Sequence, residues 1–159
     1  LLKAFLKLLS NHNSSLIICG YGPLSASDRT LIESDSRIQF FGTVSKSDLN
    51  NLREKADILV NPRPLIADNV YNFPSKLLEY MSYRKVIVST RTPGIPNDFN
   101  KMMILTNDNL SDFSEGLLQA AQMTEEQCKP ILNQLEMYSA SHTWLHEAKR
   151  LITFINTLN

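Results

Sequence analysis

Apolar residues follow two alternating rhythms along the chain. Short unbroken runs occur at 15–19 (SLIIC), 38–41 (IQFF), 57–61 (DILVN) and 85–89 (KVIVS). They are rich in β-branched residues and read as buried strands. Residues 102–105 predict a fifth, shorter strand. Between the runs, apolar positions recur at helical spacing. Leu1, Leu2, Phe5, Leu8 and Leu9 form one stripe, and Leu49, Leu52 and Ala56 another. Ser45 and Asp48 stand at capping-box spacing before the second stripe, with Asp48 as an acidic variant. Residues 25–35 predict a weaker helix. Ser111 is expected to cap a helix running to Met123, and Thr124 and Gln127 repeat the capping-box spacing. Pro130 is expected to kink the next helix or restart it. Trp144, Ala148, Leu151, Ile152, Ile155 and Leu158 line one face of a closing helix over about 142–158, with Trp144 as a packing anchor.

Strands that alternate with helices and are apolar on both faces predict a mainly parallel sheet covered on both sides, an α/β/α sandwich of three layers. The 159 residues fit one domain, taken as 1–159. Sixteen basic and sixteen acidic residues give zero formal net charge. That balance excludes general binding of nucleic acid, which needs a basic field. Cys19 and Cys128 lie far apart and read as thiols of a reducing compartment, so a cytoplasmic location is expected. No apolar run approaches the roughly 20 residues that cross a bilayer, and no signal peptide is visible. The helical pattern is already under way at Leu1, so an upstream portion is expected to be missing.

Chemistry concentrates around residues 60–90. The irregular stretch 62–74 is long for a compact domain, and such loops are more often functional than accidental. It leads into Phe73-Pro74-Ser75-Lys76, a helix start whose amides, dipole and lysine suit an anion. The alternative is a capped helix with a solvated lysine. Glu79, one turn further on, could accept hydrogen bonds from ribose hydroxyls or be an ordinary surface glutamate. Arg63 leaves a strand end, where a guanidinium could grip phosphate or simply face solvent. Gly20-Tyr21-Gly22-Pro23 turns the chain off the first strand. It is either a plain turn or a close approach to phosphate or sugar, and it lacks the third glycine of the dinucleotide fingerprint. His12, His142 and His146 have no metal-ligand spacing, and no metal site is expected.

Taken together, LIICGYGPL, IQFFGTVSKSDLNNLREKADILVNP, NFPSKLLEYMSYRKVIVSTRTPGIP and SHTWLHEAKRLI occur in an order that resembles the C-terminal domain of GT-B glycosyltransferases. The set is similar to the retaining family four, especially its bacterial capsule and exopolysaccharide members. The resemblance covers nearly the whole chain and implies a Rossmann-like half that binds a nucleotide-diphosphate sugar. It implies base contacts at Phe41, Gly42, Thr43 and Val44, and diphosphate contacts at Phe73, Pro74, Ser75 and Lys76, with Tyr71 and Asn72 beside them among the donor-binding residues. Gly20, Tyr21 and Gly22 complete the site. Glu79 corresponds to the second glutamate of the family's E-x7-E pattern and would hold the ribose. Catalysis would rest on Lys76, Glu79 and Arg63. The nucleotide sugar is the donor substrate, and neither a cofactor nor a metal is implied. The partners implied are the donor, a glycan acceptor and an N-terminal GT-B domain, with at most peripheral membrane association.

The sequence departs from this family at four points. Tyr71 stands where the first glutamate of the pattern would fall, as in a polysaccharide-type subgroup. Arg84 replaces the glycine usual after the helix and must end it without glycine's freedom at positive φ. Val86 replaces the proline usual before the next strand. The family's first strand, with its diphosphate-clamping Arg and Lys, would precede Leu1. Without it, the strands at 15–19 and 57–61 must close up or leave unpaired backbone. The expectation is a glycosyltransferase donor domain, inactive as an isolated piece. The alternatives are a truncated nucleotide-binding module without chemistry, or a GT-B-fold sugar-nucleotide epimerase.

Overall fold

The computed structural model describes residues 1–8, 13–67 and 72–158. Five strands alternate with helices: α1 Leu2–Leu8, β1 Leu16–Cys19, α2 Ala26–Glu33, β2 Ile38–Gly42, α3 Lys46–Lys55, β3 Ile58–Asn61, α4 Lys76–Met81, β4 Val86–Thr90, β5 Ile104–Thr106, α5 Leu110–Gln122, α6 Glu125–Ser141 and α7 Trp144–Asn156. A 3₁₀ segment, Asn97–Lys101, precedes β5. Every pairing is parallel, and the fold is the Rossmann-like α/β class expected.

The strands form two ribbons. β1 pairs with β2, while β3, β4 and β5 make a second sheet in that order. Of the two outcomes expected for the 15–19 and 57–61 strands, they do not close up: among the described residues β1 and β3 share no ladder. In the larger sheet, period-two alternation delivers two cores. Leu59 and Ile87 face α4 and α6, packing with Leu77, Met81, Phe99 and Leu135. Val86 and Val88 face the other way, onto Ala4, Phe113, Leu117 and Ala120. All five residues of β4 are buried, as a central parallel strand requires.

The β1–β2 ribbon is different. Its core holds Phe5, Leu16 and Ile38, while Ile17, Phe40 and Phe41 are exposed. The expectation that every strand is covered on both faces therefore fails here: with only two strands and one described core, half the apolar positions have no cover. α1 joins the two ribbons, since Ala4 belongs to the core of one and Phe5 to the core of the other.

Local signals mostly act as the sequence suggests. Ser45 accepts the Asp48 amide, and Thr124 with Gln127 completes a reciprocal capping box. Two readings are corrected, and one pair of alternatives is narrowed. Asn109, not Ser111, caps α5, accepting from the Asp112 amide. Of the two outcomes expected at Pro130, the helix does not restart, since α6 runs through it; the missing N–H leaves one carbonyl, that of Glu126, without its helical donor. Trp144 is no packing anchor, being 94% exposed. Leu151, Ile152, Ile155 and Leu158 are exposed with it, because amphipathic spacing specifies an apolar face but not what covers it. Leu49, Leu52 and Ala56 of α3 are only half-buried.

Arg84 ends α4 at φ 51°, the only non-glycine with positive φ among the described residues. It takes glycine's conformation rather than avoiding it, and its guanidinium pairs with Glu136 at 2.9 Å.

Candidate functional site

Because all strands run parallel, their carboxyl ends gather on one edge of each ribbon, and the loops that leave them carry the candidate residues. The turns after β1 and β2 are fastened together, for the Gly20 N–H donates to the Gly42 carbonyl at 2.8 Å. Gly42 has φ 62° and Gly22 φ 135°, conformations that a side chain would strain. Tyr21 on this turn is 94% exposed, and Phe41 and Thr43 are exposed beside it, with Val44 half-buried. Gly20–Gly22 and Phe41–Val44, far apart in sequence, are thus brought to one place.

β3 ends at Asn61, whose buried side chain donates to Ser89 Oγ at 2.9 Å. This polar bridge across β3 and β4 fixes the start of the long loop. Arg63 follows, half-buried. The Leu65 amide donates to Asp108 Oδ2 at 2.7 Å, tying this limb to the turn after β5. Neither Ser89 nor Asp108 was recognisable from local spacing, since each acts on a residue from a distant strand end.

The second limb returns at Asn72. Tyr71 lies outside the described residues, so its place in the site is untested. Phe73 is half-buried and meets Phe99 edge-on at 5.5 Å, and Pro74 is buried. Asn72, Ser75 and Lys76 are exposed. The segment is thus anchored by Phe73 and Pro74, with polar groups turned outward. Gly94, on the loop after β4, supports it closely. A Cβ built on Gly94 would lie 2.7 Å from Asn72 C, 2.8 Å from Asn72 O and 2.9 Å from Phe73 N. Ser75 stands at the N-cap in helical geometry and makes no side-chain cap bond. The first turn of α4 therefore lacks the hydroxyl cap that its sequence suggests.

Glu79, on α4, is bound by Arg53 of α3: Nη2 to Oε2 is 2.8 Å. The Arg53 guanidinium lies 5.6 Å from the Tyr80 ring centroid and 5.7 Å from that of Tyr83. Burial pulls Arg53 downward, but contacts with Tyr83 and Glu79 outweigh it and leave the guanidinium above its ordinary pKa. Burial pushes the Cys19 thiol up, with the Arg53 charge opposing it. Burial likewise raises Tyr80, and Arg53 again opposes. Glu79 is thus held by Arg53, whereas Arg63 belongs to the limb fastened at Asp108.

A shallow cavity of about 280 Å³ opens beside β5, lined by Arg91, Thr106, Asp112, Glu115 and Gly116 among others. It contains none of the candidate residues. Among the described residues no group of three or more His, Cys, Asp or Glu side chains is gathered. No described helix is long and apolar enough to cross a membrane.

Parallel strands with glycine turns at their carboxyl ends and a long loop opening onto α4 define a Rossmann-like α/β domain. The sequence profile of the family described as "Glycosyl transferases group 1" matches residues 1–123, and the chain belongs to that family. Solved structures agree on the fold. A glycosyltransferase from Rickettsia africae ESF-5 superposes with TM-score 0.76 at 18% identity, over 100% of this chain and 44% of that one. Anabaena Alr3699/HepE in complex with UDP gives 0.71 at 14% identity, over 100% and 44%. WaaG, a glycosyltransferase involved in lipopolysaccharide biosynthesis, gives 0.69 at 18% identity, over 89% and 38%. The chain spans less than half the length of these proteins. No curated protein matches it.

Proposed function

We propose that this chain is the donor-binding half of a retaining, family four glycosyltransferase of the bacterial capsule or exopolysaccharide type. It binds a nucleotide-diphosphate sugar and, with an N-terminal domain, transfers the glycosyl group to a glycan acceptor. One observation carries the reading: the family match over residues 1–123 contains every candidate residue, from Gly20 to Glu79.

Phe41–Val44 and the Gly20–Gly22 turn take the base side of the donor. Glu79 orients the ribose through its carboxylate. Asn72, Ser75 and Lys76 meet the diphosphate, with Phe73 and Pro74 as anchors and Tyr71 adjoining them in sequence. As the glycosidic bond breaks, negative charge grows on the departing diphosphate. Lys76, the amides opening α4 and Arg63 stabilise that charge more in the transition state than in the ground state. Neutralisation by these groups needs no metal ion.

The test titrates UDP, GDP and ADP sugars against the full-length protein and its Glu79→Ala variant. We expect one of the nucleotides to bind, and the variant to weaken it about tenfold or more. If no nucleotide sugar binds and Glu79→Ala changes nothing, the reading is wrong. The division of the described strands into two sheets, with no ladder between β1 and β3, favours a second reading for the 159 residues alone, a nucleotide-holding module without turnover. Sugar transfer by that piece would exclude it.

A further inference from the structure

We propose that Arg53 is the positioning residue for ribose recognition, acting through Glu79; this rests on the reading that Glu79 meets the ribose. The two residues lie on different helices, and their contact joins α3 to α4 at 2.8 Å. Their surroundings are unequal. The Arg53 side chain is 14% exposed, that of Glu79 55%. Arg53 is the fixed member, and Glu79 takes its place from it.

What fixes Arg53 is visible. Its guanidinium lies over two aromatic rings, Tyr80 and Tyr83, at 5.6 and 5.7 Å. Tyr83 is itself held, its hydroxyl donating to Asn50 Oδ1 on α3 at 2.8 Å. A planar guanidinium suits this place because it stacks and donates in a fixed direction at once. An exposed glutamate without such a partner would sample several rotamers and lose entropy on binding a diol. With Oε2 held by Arg53, the carboxylate still offers lone pairs for two hydroxyl donors. The ribose then meets a carboxylate already in position.

This gives Arg53 a signature that a purely structural role lacks. Removing it should affect recognition of the sugar hydroxyls and spare recognition of base and diphosphate. The measurement is calorimetric titration of the full-length protein with UDP and with 2′,3′-dideoxy-UDP, repeated with the guanosine and adenosine pairs. The quantity read is the ratio of the two affinities. We expect the native protein to prefer the ribonucleotide by about tenfold or more, as for hydrogen bonds to a charged acceptor. Arg53→Met should collapse that ratio to below about threefold while leaving dideoxynucleotide affinity nearly unchanged, and Arg53→Lys should recover part of it. If Arg53→Met fails to fold by thermal unfolding, Arg53→Lys is read in its place, with a ratio between the two limits expected.

A native protein that discriminates, with an Arg53 variant that discriminates equally well, overturns the role of Arg53 and leaves Glu79 as the ribose acceptor. Equal loss for both nucleotides in the variant also overturns it, showing only that Arg53 holds α3 to α4. A native protein that binds both nucleotides equally overturns the assignment of Glu79 itself, and this inference with it.

Discussion

Replacing Gly94 by alanine isolates what the loop after β4 does for the segment that opens α4. Gly94 does not have positive φ, so its backbone accepts an L-residue and only space is at issue. In open space the change would stabilise the fold by about 0.4–1 kcal/mol, through the reduced freedom of the unfolded chain. Space is lacking. The new methyl carbon would meet three backbone atoms, Asn72 C and O and Phe73 N, at 2.7, 2.8 and 2.9 Å. Comfortable contact needs about 3.5–4.0 Å, so the segment must retreat by roughly 1 Å. Overpacking of this kind costs about 1–3 kcal/mol. The net effect is a loss of about 1–2 kcal/mol, or a melting temperature lower by roughly 2–8 °C in a chain of this size. Ser75 and Lys76 follow directly on Phe73 and Pro74 and would move with them. A misplacement near 1 Å can cost a positioned group about a hundredfold, and UDP binding should weaken by about tenfold or more. Thermal unfolding with and without UDP, together with calorimetric titration, measures both effects. A Gly94→Ala protein that melts at or above the native temperature and binds UDP within about twofold of the native affinity would refute the reasoning.

Two further outcomes test the energetics of the fold. Arg84→Gly removes the left-handed strain of about 1–2 kcal/mol at φ 51°, against roughly 0.4–1 kcal/mol of unfolded-state entropy and an exposed ion pair to Glu136. In a Glu136→Ala background, where the pair is already gone, denaturant unfolding should show Arg84→Gly gaining up to about 1 kcal/mol; a loss there would show that the turn does not strain arginine. The Arg37 hydrogen bonds hold the Asp35 carboxyl down at about 2, below its ordinary value. A depressed carboxylate contributes stability above its unfolded value of ~3.9, and that contribution is lost as pH falls from about 4 to 2. Asp35→Asn should therefore flatten the stability profile across that window in a melting series, and an unchanged slope would remove Asp35 from the account.

Much of the fold was legible because buried parallel strands announce themselves. The KVIVS run became β4, buried throughout, with a shift of one residue. Caps at Ser45 and Thr124 were legible for a related reason, since both partners lie within one turn. Asn109 was passed over for Ser111 because both are good caps and only the observed backbone chooses between them. The exposure of Trp144 was not legible, since periodicity is silent about neighbours. At the site, short-range features such as the glycine turns could be read directly. The bond from Gly20 to Gly42, the Asn61–Ser89 bridge and the Arg53–Glu79 pair could not. Each joins residues that only the topology makes neighbours. Arg53 left one faint trace in the sequence, a lone arginine in a polar helix just before a buried strand, which spacing alone cannot distinguish from a solvated charge.

The division of the strands bears on where resistance to unfolding resides. A two-stranded ribbon is marginal by itself, and β1–β2 brings Leu16 and Ile38 to a buried core that Phe5 of α1 completes. Its persistence is borrowed through α1, where Ala4 and Phe5 grip different cores like the two jaws of a clasp. The larger sheet has cores on both faces and stands without that help. Local opening should therefore begin in the small ribbon and take the Gly20 and Gly42 turns with it. A ligand held on those turns acts as a mortar for the weaker half, and its affinity carries the cost of keeping that half closed.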